Sequence, residues 1–102
     1  MTKITLGIIG GGQLGSMLAT AAKKLKIKTI IFSDTVNSPG RMFSDEFISG
    51  DYSDLSKIKE FTNKVDLITF EFENIPYETL KKLNDLKKVI PNQEINKIIQ
   101  NR

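Results

Sequence analysis

Two short stretches of this chain carry residue types that can bind or orient a polar ligand. Phe70-Glu71-Phe72-Glu73-Asn74-Ile75-Pro76 sets two carboxylates and a carboxamide close together. On an extended backbone successive side chains alternate, so Glu71 and Glu73 share one face and Phe70 and Phe72 take the other. Carboxylates held this close resist ionising together, and a ligand amine or a pair of hydroxyls bridging them relieves the conflict. The competing, purely structural reading is that Glu73 or Asn74 caps a helix opened by Pro76. The other stretch is Gly10-Gly11-Gly12-Gln13-Leu14-Gly15, a G-x-G-x-x-G turn. Gly10 permits the tight turn, Gly12 lets a ligand approach the backbone, and Gly15 lets a helix lie close to a strand. A helix starting there presents free N–H groups and a partial positive charge to an anionic or polar ligand.

Both stretches need rigid elements to aim them. Thr5-Leu6-Gly7-Ile8-Ile9 is a short apolar run ended by glycines, the pattern of a strand buried on both faces. From Gln13 to Lys26 the residues Leu14, Met17, Leu18, Ala21, Ala22 and Leu25 recur at helical spacing and predict an amphipathic helix. Lys28 to Ser33 is a second strand, and the turn formers of Asp34 to Gly40 make a loop. A helical turn over Arg41 to Ser44 and a short strand over Glu46 to Ser49 come next. Asp54 is a good N-cap for a helix from Leu55 to Lys64, with Leu55, Ile58 and Phe61 inward. Val65 to Phe70 is a strand, Pro76 to Leu86 a helix, Lys88 to Pro91 a fifth strand, and Asn92 to Arg102 a last helix. Strands alternating with helices predict an α/β fold, a Rossmann-like open parallel sheet of strand order 3-2-1-4-5. Both chemistry-bearing stretches then follow strands at the carboxyl edge, where ligands bind in such sheets.

Composition narrows the chemistry. With 102 residues the chain is expected to form a single domain, and 39% hydrophobic with 26% charged residues fits a globule. There is no Cys and no His, so thiol nucleophiles, disulfides, common zinc sites and imidazole bases are excluded within it. The net charge is +3, and the lysines gather in two helix-linked clusters, Lys23, Lys24, Lys26, Lys28 and Lys81, Lys82, Lys87, Lys88. Solvated helix faces account for them, and no interleaved basic and aromatic platform for nucleic acid is present. No apolar run approaches the roughly 20 residues of a membrane span, so no membrane partner and a cytoplasmic location are expected. Asp34 lies 19 positions after Gly15, where a dinucleotide-binding fold carries the acid that meets a ribose hydroxyl. It equally suits the opening of a loop, because Asp bonds nearby backbone N–H groups.

Gly7 to Gly15, with Gln13-Leu14 inside the turn, together with Thr69 to Ile75, resembles the 5-(carboxyamino)imidazole ribonucleotide synthases, ATP-grasp ligases of bacterial purine biosynthesis. The resemblance runs along the whole chain and includes Asn37-Ser38-Pro39, Gly50-Asp51-Tyr52 and Gln100-Asn101-Arg102. Ser16 departs from the family, many members of which carry Arg there, so Ser16 is not counted as a site residue. Family members are several times longer. The resemblance therefore implies that residues 1–102 are the amino-terminal pre-ATP-grasp domain, with the ATP-grasp and carboxyl-terminal domains outside it.

The implied reaction uses ATP and bicarbonate to form carboxyphosphate, whose carboxyl carbon passes to the exocyclic amine of 5-aminoimidazole ribonucleotide. ATP and Mg2+ would be held by the remaining portion, so this domain is expected to bind no cofactor, hold no catalytic or metal-ligating residue and show no turnover alone. Its implied share is the ribonucleotide, with Gln13, Leu14 and Glu71 as contacts and Glu73 and Asn74 supporting. In that family the glycine turn persists without a dinucleotide, so Asp34 is expected to shape its loop. The full-length protein is expected to be a homodimer. Two alternatives compete: an NAD(P)-binding oxidoreductase domain, which leaves Gln13-Leu14 and the acidic loop unexplained, and a nucleotide-sensing module.

Overall fold

The computed structural model describes residues 4–10, 12–35, 37, 39–70 and 77–90. Four strands, β1 (Thr5–Ile9), β2 (Lys28–Ser33), β3 (Glu46–Ser49) and β4 (Leu67–Phe70), pair in parallel in the order β3-β2-β1-β4. The helices are α1 (Gln13–Lys24), α2 (Leu55–Asn63) and α3 (Tyr77–Leu86), and a 3-10 turn spans Pro39–Met42.

Alternation along each strand splits the core in two. Ile30 and Phe32 of β2, Ile9, Ile48 and Ile68 pack with Ile58 and Phe61 of α2 and Leu83 of α3. Ile31, Leu6 and Ile8 point to the opposite face and pack with Leu18 and Ala19 of α1 and with Ile90. The sheet is thus covered on both sides, as its continuous apolar strands require. Gly7 makes the closest packing possible: a Cβ there would lie 2.6 Å from Phe61 Cζ and 2.9 Å from a Val65 methyl.

Helix ends follow local chemistry. Asp54 caps α2 as expected, its carboxylate accepting from the N–H groups of Ser56 at 3.1 Å and Lys57 at 3.3 Å. Helix α1 stops at Lys24, short of the expected Lys26, because the chain turns left-handed there, Lys26 having φ 62°. The Ile27 N–H bonds the Ala22 carbonyl and the Lys26 N–H bonds that of Lys23, a Schellman closure that satisfies otherwise orphaned acceptors.

Three expectations are corrected. Met17 is 62% exposed because the buried stripe of α1 is centred on Leu18, Ala19 and Ala22. One residue is about 100° of helix rotation, and the small alanines let that side approach the sheet. Leu55, at the first turn of α2, is also exposed. Among the described residues the expected fifth strand is a single parallel bridge, Ile68 to Val89, in which the Ile68 N–H bonds the Lys88 carbonyl and the Ile90 N–H that of Ile68. The residue after Ile90 is a proline, which has no N–H to extend a ladder. The expected final helix from Asn92 to Arg102 lies outside the described residues.

Candidate functional site

The glycine turn is built as its residue types demand. Gly10 has φ 101°, a conformation closed to ordinary L residues, and its N–H donates to the Phe32 carbonyl at 2.7 Å, tying the turn to β2. Gly12 is the extended N-cap of α1 and offers no side-chain cap, and the first turn holds no acidic residue to neutralise the positive helix end. Ser16 is buried, and its hydroxyl donates back to the Gly12 carbonyl at 3.0 Å, which steadies the turn from inside. Gly15 is buried within α1.

Strand order decides what this turn faces. From β1 the chain moves outward through β2 to β3, and α2 then carries it back across the sheet to β4 on the far side of β1. The order therefore reverses between β1 and β4, and ligand crevices of open α/β sheets form outside the carboxyl ends of such a pair. The last register pair of the two strands is Ile9 with Phe70. Ile9 and Phe70 accordingly end neighbouring strands at the same level of the same edge. Gln13 and Leu14 open α1 beside them. The side chains of Gln13 and Leu14, and Gly11, Glu71, Glu73 and Asn74 entirely, lie outside the described residues.

Asp34 also follows a strand at this edge. It is exposed and accepts from the Thr35 hydroxyl at 3.2 Å, while the Thr35 N–H bonds the Ser33 hydroxyl at 3.1 Å. Local bonding of this kind is that of a loop former. An open crevice of about 340 Å³ lies between the start of α2 and the start of α3, lined by Tyr52, Leu55, Ile58, Thr79 and Lys82 among others. Its described lining includes none of Gly10, Gly12 and Gly15 of the glycine turn. Thr79 donates to the Tyr52 carbonyl at 2.9 Å and fastens α3 to the loop after β3. In that loop Asp51 accepts from the Ser53 hydroxyl and N–H, which together hold its carboxyl below the ordinary value of 3.8. Among the described residues no three or more acidic side chains gather to hold a metal ion, and no helix is long and apolar enough to cross a membrane.

One residue of this region escapes sequence reasoning. Thr69 opens the Thr69 to Ile75 motif but reads locally only as a strand former, with no site role. In the structure it is fully buried in β4, next to the strand's last residue, and its Oγ1 has no hydrogen-bond partner.

A doubly wound parallel sheet with a glycine turn at its switch point defines the class: a Rossmann-like domain, a fold in which ligand crevices form at the carboxyl edge of the sheet. Within that class the ribonucleotide synthetase preATP-grasp domain family matches residues 1–100, and the chain belongs to it. The N5-carboxyaminoimidazole ribonucleotide synthase of Staphylococcus epidermidis is 38% identical over 98 residues, covering 96% of this chain and 26% of that protein. Among solved structures, the Staphylococcus aureus N5-carboxyaminoimidazole synthetase complexed with ADP superposes with a TM-score of 0.81 and 38% identity, over 92% of this chain and 26% of that one. The Thermotoga maritima N5-carboxyaminoimidazole ribonucleotide synthetase gives 0.76 and 35%, over 96% and 29%. The chain thus spans about a quarter of the length of the relatives it matches.

Proposed function

We propose that residues 1–102 are the ribonucleotide-binding domain of an ATP-dependent carboxylating ligase of purine biosynthesis. The observation that carries the reading is the Ile9 to Phe70 pairing, which starts the glycine turn and the acidic loop from adjacent strand ends. The substrate is 5-aminoimidazole ribonucleotide. Main-chain groups of Gln13 and Leu14 at the amino end of α1 meet its polar atoms, in keeping with the exposed positive end of that helix. Glu71 accepts hydrogen bonds from the amine or ribose hydroxyls, and Glu73 and Asn74 shape the same loop. Held this way, the neutral amine is oriented to attack an activated carboxyl carbon, and positioning is the domain's whole contribution to rate.

ATP, Mg2+ and bicarbonate belong to the portion of a longer protein that this domain precedes. There carboxyphosphate forms with release of ADP; attack by the amine then gives the carbamate and releases phosphate. The domain by itself turns nothing over, and the full-length protein works as a homodimer in the cytosol.

Titration of the 15N-labelled chain with 5-aminoimidazole ribonucleotide tests the reading. Amides of Gly10, Gly12, Gln13, Leu14 and Glu71 should shift, and NADH should leave them in place. Turn amides that ignore millimolar ribonucleotide, or that respond to NADH instead, would overturn it. In a chimera carrying this chain in place of the matching segment of the Staphylococcus aureus enzyme, Glu71→Gln should lower kcat/KM for the imidazole substrate at least about tenfold, the worth of one hydrogen bond to a charged group, with Tm unchanged.

A further inference from the structure

Among the described residues the buried side-chain hydroxyls are bonded, with one exception. Ser16 donates to the Gly12 carbonyl, Thr62 to that of Lys59 and Thr79 to that of Tyr52, while Thr29 meets the Asp45 carboxylate and Ser33 accepts from the Thr35 N–H. Thr69 is 0% exposed, and its Oγ1 is the buried side-chain polar atom without a partner among the described residues. Its register partner is Ile8, so the side chain stands on the α1 face of the sheet with Leu6, Ile8, Leu18 and Ile90. Valine has the same shape and would suit that apolar surrounding better, since an unpaired buried hydroxyl is a net cost to the fold. A buried hydroxyl left unpaired calls for an explanation, and a partner supplied from outside the folded chain is one.

Location indicates which function. Thr69 is one residue from the end of β4, beside β1, where the strand order reverses. It is on the sheet face from which α1 rises with its uncapped glycine start. We propose that Thr69 is a positioning residue of the ribonucleotide site, its hydroxyl reserved for a hydrogen-bonding group that is ordered when the ligand binds. That group is a polar atom of the ligand or a water molecule the ligand traps against the strand. The inference rests on the ribonucleotide reading given above and adds to it a residue beneath the contact surface.

Stability and binding should move in opposite directions, which no purely structural role produces. Thr69→Val should raise the Tm of the chain by roughly 4 °C or more, the response of a domain this size to relief of one unpaired group. It should weaken binding of 5-aminoimidazole ribonucleotide about tenfold, the worth of one hydrogen bond. Thr69→Ser keeps the hydroxyl and should bind within about twofold of the unmodified chain, even where the lost methyl lowers its Tm. A crystal structure of the complex then separates the two sources, a ligand atom or an ordered water within hydrogen-bond distance of Oγ1. A valine variant that binds as well as the unmodified chain overturns the inference and leaves the ribonucleotide reading intact. A valine variant of lowered Tm overturns it too, because the hydroxyl is then bonded within the fold. If the unmodified chain itself fails to bind, the ribonucleotide reading fails and this inference with it.

Discussion

Gly7→Ala is the smallest change that should damage this fold, and its size can be worked from three distances. The added methyl would sit 2.6 Å from Phe61 Cζ and 2.9 and 3.1 Å from the two Val65 methyls, well inside the roughly 3.5–4.0 Å at which carbon atoms attract. Relief is not available from the backbone, because Gly7 lies in a strand paired on both sides, with Ile30 of β2 and Ile68 of β4. Nor do the neighbours yield easily: Phe61 is fully buried, Val65 nearly so, and a β-branched side chain has few rotamers to try. Overpacking of this kind costs about 1–3 kcal/mol. Replacing glycine by alanine restricts the unfolded chain and returns about 0.4–1 kcal/mol. The net loss expected is about 1–2 kcal/mol, a fall in Tm of roughly 5–15 °C at this size. Thermal and urea unfolding followed by circular dichroism would measure it. Phe61→Leu removes the clashing ring tip, so the double variant should be more stable than the sum of the two single losses by at least about 1 kcal/mol, the coupling typical of residues in contact. A Gly7→Ala chain as stable as the original, or losses that simply add, would show that α2 does not press on β1 as the structure has it.

The remaining predictions are smaller and independent. Lys26→Gly should stabilise by about 0.5–1 kcal/mol, since glycine holds the φ of 62° at the end of α1 without strain, and a chemical denaturation midpoint that falls would contradict the Schellman closure. Asp54→Ala should cost about 1 kcal/mol by uncapping α2, with Asp54→Ser recovering most of it in the same assay. Gly10→Ala, at φ 101°, should cost about 1–3 kcal/mol and abolish ligand-dependent amide shifts at the turn. The pH profile follows from two signs. Asp51 is held below 3.8, so its small contribution is full above that value and fades as acid protonates it. The hydrogen bond from Lys64 to Glu46 holds the lysine above 10.5, so that contribution is full below 10.5 and fades in stronger base. With no histidine in the chain, Tm should be flat across neutral pH, and a step there in a Tm-against-pH scan would refute the assignment.

Local pattern carried most of the elements, for identifiable reasons. The strands were readable because each is buried on both faces and so runs apolar without a break, Ile30-Ile31-Phe32 above all. Asp54 was readable because capping is decided by the two or three residues that follow. What local pattern could not supply were facts about distance in space. Met17 belongs to the helical spacing as well as Ala19 does, and only the closeness of α1 to the sheet decides that alanine goes inward. The left-handed turn at Lys26 leaves no glycine or asparagine as a marker. Gly7 reads as a weak spot in a strand until Phe61 and Val65 are seen against it.

The candidate site divides along the same line. The glycine half was legible by its spacing before a helix, while the carboxylates expected after β4 lie outside the described residues. That the carboxyl ends of β1 and β4 lie side by side is a fact about two strands far apart in the chain and adjacent in the sheet. It could be anticipated only through the rule that parallel crossovers turn right-handed, which forces a chain that has gone outward over one face to return over the other. The same rule weakens the dinucleotide reading. A glycine turn at a switch point follows from the winding of the sheet and names no ligand, and Asp34, the one residue that pointed to a ribose, is bonded within its own loop. On the ribonucleotide reading proposed above, discrimination falls to the strand on the other side of the switch. β4 delivers the acidic loop and holds Thr69, and its side chains are where substitutions should separate binding from folding.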